Sequence, residues 1–69
     1  MPLNLLGNGE TGTVRKVGGN PDTKRFLENL GFVNNTEVTV LSKLGGNVIV
    51  NVKGSRIAIN SEMARKIMV

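Results

Sequence analysis

Cysteine, histidine, tryptophan and tyrosine are all missing from this chain of 69 residues, and its aromatics are limited to Phe26 and Phe32. Without Cys or His there is no disulfide scaffold, no thiolate or imidazole zinc site, no cysteine nucleophile and no His-based triad. No run approaches the ~18 apolar residues of a membrane span. The N-terminal Met1-Pro2-Leu3-Asn4-Leu5-Leu6 has neither the basic region nor the long apolar region of a secretion signal. The chain therefore reads as a soluble, cytoplasmic protein, and carboxylates, hydroxyls and lysines are what it has for chemistry.

What is present is apolar and basic in moderate amounts. Hydrophobic residues make up 39% of the chain, and nine Lys and Arg against five Asp and Glu give a net charge of +4. The length is that of one compact module, residues 1–69, too short for a catalytic domain beside a regulatory one. Ordering it costs about 100 kcal/mol at roughly 1.5 kcal/mol per residue. Nearly every Val, Ile and Leu is accordingly expected in the core.

The hydrophobic period changes three times. Val14 and Val17 lie in a β-prone stretch from Thr11 to Val17, bounded by glycines on both sides, and this predicts a strand. Asn20-Pro21-Asp22 is a helix start, with a capping amide, proline in the first turn and an early negative charge. Phe26, Leu27 and Leu30 follow at helical spacing and Gly31 stops the run, so a helix is predicted over about 22–30. After the turn pair Asn34-Asn35 the period drops to two. Val38 and Val40, then Val48, Val50 and Val52, then Ile57 and Ile59 mark three strands. Gly45-Gly46-Asn47 closes the first hairpin, and Gly54-Ser55 suits a two-residue II′ turn in the second. Residues 61–66 form a short helical turn capped by Asn60 or Ser61, after which Ile67-Met68-Val69 returns to the sheet. The fold class is mainly β: a small SH3-like five-stranded β-barrel with one inserted α-helix and a short C-terminal helical turn.

Chemistry-bearing motifs are few. Gly7-Asn8-Gly9-Glu10-Thr11-Gly12 matches G-x-G-x-x-G, but the fingerprint works between a strand and a helix, and here a β-prone segment follows. It reads as a turn. Asn34-Asn35-Thr36 has the form of a glycosylation sequon, and without a secretion signal it too reads as a turn. The acids Glu10, Asp22, Glu28, Glu37 and Glu62 stand singly, with no pairing for acid–base work and no EF-hand spacing. No catalytic residue is assigned, no metal ligand, and no cofactor. The positive charge raises nucleic acid as a partner, yet the cations are scattered through every element and both phenylalanines are expected in the core, not free to stack on bases. A proline-rich ligand lacks the aromatic cradle it requires.

Read in order, Gly12-Thr13-Val14 through Val17-Gly18-Gly19, Lys24-Arg25-Phe26-Leu27-Glu28-Asn29-Leu30-Gly31-Phe32, Val38-Thr39-Val40, Gly45-Gly46, Val50-Asn51-Val52-Lys53-Gly54, Ile57-Ala58-Ile59, Ala64 and Ile67-Met68-Val69 resemble the FeoA family. The resemblance runs from about Leu5 to Val69. It implies an SH3-like barrel with an inserted helix, acting as a cytoplasmic accessory protein of bacterial ferrous iron transport with FeoB, the membrane transporter that carries a GTP-binding domain. The same module resembles the C-terminal domain of iron- and manganese-dependent repressors, for whose DNA-binding half this chain has no room. Asn34-Asn35 stands where the family often has Pro-Gly, and Asn47 where a proline is common; all are turn formers. Dispersed acids offer ferrous iron no focused site, so action through protein contact is the expectation. Nucleic-acid binding by a small basic β-barrel is the alternative. The candidate contact residues are Lys24, Arg25 and Glu28 on the helix, Arg56, and the hairpin tip Gly45, Gly46 and Asn47.

Overall fold

The computed structural model describes all residues, 1–69. Three strands follow from the period-two stretches: β3 (Glu37–Leu44), β4 (Asn47–Val52) and β5 (Ser55–Asn60). With β1 (Thr11–Thr13) they form an antiparallel sheet in the order β1-β3-β4-β5. The register sets Val38 opposite Val52, Val40 opposite Val50, Val50 opposite Ile57 and Val48 opposite Ile59, so the β-branched residues share one face. Those residues, apart from the half-buried Ile57, lie in the core together with Leu3, Leu6, Val14, Val17, Leu27, Phe32, Ala64 and Ile67.

The single strand expected over Thr11 to Val17 is two. β1 pairs with β3, while β2 (Lys16–Val17) pairs with β6 (Ile67–Met68) in a second, two-stranded sheet. The crossing lies at Val14 and Arg15, whose N–H groups donate to Thr36 O and Met68 O at 2.8 Å each. The count is therefore six strands in two sheets instead of five. Splitting the segment lets both sheets cover one core, which a straight seven-residue strand does not.

The first helix, α1, spans Pro21–Asn29, one residue earlier at each end than predicted. The Asn20 side chain accepts from Thr23 N–H at 2.8 Å, as its capping role requires. Gly31 follows at φ 114°, a conformation open to glycine. Phe26 is 48% exposed, contrary to its expected place in the core. The inward stripe is Thr23, Leu27 and Leu30, and Phe26 sits about 100° around the axis from Leu27. A helix of nine residues presents one narrow stripe. The second helix, α2, is Ser61–Ala64, capped by Asn60 through Met63 N–H at 2.8 Å. It is a single turn and ends before residue 66, because Lys66 N–H closes back on Met63 O and the chain re-enters a strand at Ile67.

Both hairpins differ in detail from the prediction. The β4–β5 turn is Lys53-Gly54, with φ 51° and 77°, a type I′ geometry, because Ser55 already pairs with Val52. In the first hairpin Gly45-Gly46 alone makes the turn, and Asn47 opens β4 opposite Leu44. A bulge at Leu41 shifts the β3 register, placing Ser42 opposite Ile49 on the outer face. This change of phase turns Leu44 outward, 72% exposed, while Leu41 beside the inward Val40 faces out by plain alternation; nearly every Leu was expected inside. Leu5, 62% exposed, departs for a different reason: a short 3-10 turn over Leu3–Leu5 buries Leu3 and turns Leu5 outward.

Candidate partner-contact surface

No polar or charged residue is buried, so whatever this chain does chemically it does at its surface. No group of three or more acids comes together. The glycine-rich segment 7–12 is a loop running into β1. The N–H groups of Gly7, Gly9 and Glu10 are already engaged, Gly9 with Val40 O at 2.6 Å, Glu10 with Gly7 O and Gly7 with the Glu10 carboxylate, and no helix follows the segment. That arrangement leaves no cradle for a phosphate.

The predicted contact residues divide between two ends of the sheet. Lys24, Arg25 and Glu28 are exposed on α1. The C-terminal end of α1 reaches the β4–β5 turn, where Gly31 lies against the Val52 and Lys53 side chains. Arg56 is exposed on β5 opposite Asn51, three residues from Lys53. The tip Gly45, Gly46 and Asn47 lies at the other end of β4, about 15 Å away at ~3.3 Å per residue. The structure thus sets Arg56 and the end of α1 at the β4–β5 turn and leaves the hairpin tip at the other end of β4.

Between them the outer face of the large sheet is polar. Thr36, Glu37, Thr39, Asn51, Lys53 and Gly54 line an open groove of about 360 Å³ with no hydrophobic lining residue. Register aligns Thr11, Thr39, Asn51 and Arg56 across all four strands, and the Thr11 and Thr39 hydroxyls are 2.8 Å apart. Sequence reading missed this groove. The polar phase of Thr39 and Asn51 is legible in the alternation, but which strands stand side by side is not. The cations remain dispersed. No side-chain hydrogen bond joins a Lys or Arg to an acid, and Lys43 Nζ donates instead to Asn4 O at 2.8 Å.

The model of the FeoA domain matches residues 1–69. The chain belongs to the FeoA family. Solved FeoA structures share its fold. An iron uptake regulatory protein, FeoA, is 28% identical with a TM-score of 0.92 over 100% of this chain and 93% of that one. FeoA of Stenotrophomonas maltophilia, solved with zinc, is 29% identical with a TM-score of 0.88 over 100% of this chain and 88% of that one; it is described as an SH3 domain protein. The fold here is accordingly SH3-like. A manganese-dependent transcriptional repressor has the same fold at 23% identity and a TM-score of 0.88, with 97% of this chain matching 39% of that one. Among curated proteins none matches. None of this chain's helices is long and apolar enough to cross a membrane.

Proposed function

We propose that this chain is an adaptor of bacterial ferrous iron transport that works by touching the cytoplasmic GTP-binding part of FeoB, not by carrying iron. The observation that carries the reading is the match of the FeoA domain over the whole chain. The S. maltophilia relative, put forward as an activating factor of ferrous iron transport, supports it. So does the surface: a small rigid sheet with every charge outside presents loops, a helix face and a groove to a partner, and no converging nucleophile and base. Lys24, Arg25 and Glu28 on α1, and Arg56 with the polar groove over β3 and β4, are the larger contact candidates, and Gly45, Gly46 and Asn47 a further one.

Calorimetric titration with the purified GTP-binding domain of the cognate transporter tests this. The wild type binds, and Lys24→Glu with Arg25→Glu weakens binding by about tenfold, the size expected for charges at an interface. Equal affinity removes those two residues from the candidates, and absence of wild-type binding overturns the adaptor reading. Duplex DNA serves as the control. Phosphate recognition would lose affinity with a log–log salt slope of about −0.9 per contact, and binding of that kind would favour the basic-barrel alternative.

A further inference from the structure

Among the strand edges of this fold, β5 alone is long, and its one guard is the charge of Arg56. β1, β2 and β6 are two or three residues long, whereas β5 has six and is the last strand of its sheet. It contains no proline, and its pairing with β4 is uninterrupted by any bulge. Short length, proline, bulges and charged side chains are the devices that ordinarily keep an edge from pairing; of these β5 has only the Arg56 charge, which repels cations and admits an acidic strand.

The turn at Lys53-Gly54 determines which backbone groups face outward. Val52 and Ser55 close the two-residue hairpin, and hydrogen-bonded pairs alternate along an antiparallel ladder. Ser55, Ile57 and Ile59 therefore direct N–H and C=O toward β4, and Arg56 and Ala58 direct theirs away. The β3–β4 hairpin gives the same phase independently. Leu44 and Asn47 flank its Gly45-Gly46 turn and bond to each other, which turns Val48 and Val50 toward β5. No turn, loop or side-chain hydrogen bond uses the outward groups of Arg56 or Ala58.

The side chains along this edge state what would fit. Arg56 and Ala58 are exposed, and the Arg56 guanidinium has no hydrogen-bond partner. Residues 47–60 contain two cations, Lys53 and Arg56, and no acid. Ala58 is small and leaves room for a neighbour's side chain. We propose that β5 receives an extended acidic segment of a partner protein as a fifth strand of the β1-β3-β4-β5 sheet. Main-chain bonds to Arg56 and Ala58 set the register, and carboxylates meet Arg56 and Lys53. A second copy of this chain fits the edge less well, since each copy carries +4. The identity of the partner rests on the adaptor reading; the mode of contact rests on the edge.

The test uses the isotope-labelled full chain and a blocked synthetic peptide of alternating Glu and Thr, followed by amide exchange. Saturating peptide is expected to slow exchange at the Arg56 and Ala58 amides by about tenfold or more. Ala58→Pro removes a donor that the fold itself does not use, as proline is tolerated on the open side of an edge strand, and should weaken peptide binding about tenfold. Arg56→Glu, which leaves the backbone intact, should do the same even if the proline variant fails to fold. Four results would overturn the inference: no peptide binding at millimolar concentration, protection confined to the α1 face or the Thr39–Asn51 groove, unchanged affinity in the variants, or a sedimentation mass of two copies with β5 already protected. Variants that bind the transporter domain like wild type sink the edge and leave the adaptor standing. A wild type that protects Arg56 and Ala58 with peptide yet ignores that domain does the reverse.

Discussion

Ser61 donates twice to the carbonyl of Gly46, through its backbone N–H and through Oγ, at 2.9 Å each. The tip of the β3–β4 hairpin is thereby tied to the first residue of α2, fifteen positions away in sequence. A Gly-Gly turn in isolation is the most mobile kind of connection; here it is anchored.

Removing the hydroxyl tests that anchor. Ser61→Ala should cost about 0.5–1.5 kcal/mol, the range of one net hydrogen bond, toward its lower end because the site is not buried. Urea denaturation measures the loss, and amide exchange at Gly45 and Gly46 should quicken. An unchanged midpoint with unchanged exchange would show that the backbone bond alone holds the tip.

Gly12 is held by space. A Cβ there would lie 2.9 Å from the Val69 Cβ and 3.2 Å from Leu6 Cδ1, where β1 packs against the end of the chain. Gly12→Ala should destabilise by about 1–3 kcal/mol, as overpacking does. Combining it with Val69→Gly should cost less than the sum of the two single changes, because the second removes the Cβ and the methyl the first runs into. Strict additivity in thermal melts would mean that the clash is relieved elsewhere.

Phe26 and Leu27 are adjacent and should behave oppositely. Leu27 is fully buried, so Leu27→Ala should cost about 2–5 kcal/mol. Phe26→Ala, at a half-exposed position, should cost under about 1 kcal/mol. Chemical denaturation of both variants decides the matter, and a large loss at Phe26 would place that ring in the core after all.

Metal is expected to leave the fold indifferent. A ligand at a hundred times its Kd stabilises by about 2.7 kcal/mol, which in a domain this small raises Tm by about ten degrees or more. Millimolar Fe(II) or Mn(II), added anaerobically, should produce no such rise. A saturable increase would overturn the view that this chain acts without holding the metal.

Much of the architecture was legible in residue order. Asn20-Pro21-Asp22 announced α1 because capping and proline geometry are local. The alternating valines of 48–52 announced β4 and its inward face, because side chains on a strand alternate whatever they pair with. Phe26 was misplaced because a spacing of three or four residues marks a stripe without saying how wide the facing surface is. Leu44 was misplaced because a bulge reverses the phase of a strand and depends on how the partner strand closes its turn. The helix, Arg56 and the hairpin tip were all identifiable as exposed candidates, but their separation to opposite ends of β4 was not.

Sequence alone determined α1, the three strands of the meander, the inward faces of β4 and β5, the absence of thiol and imidazole chemistry and the likeness to the FeoA family, since all of these rest on local backbone preference, side-chain chemistry or residue order. Tertiary structure decided the split of residues 11–17 between two sheets, the groove across Thr39 and Asn51, and the unpaired edge at Arg56 and Ala58. Those depend on which strands become neighbours, and neighbours are chosen by the joint burial of a core drawn from every part of the chain.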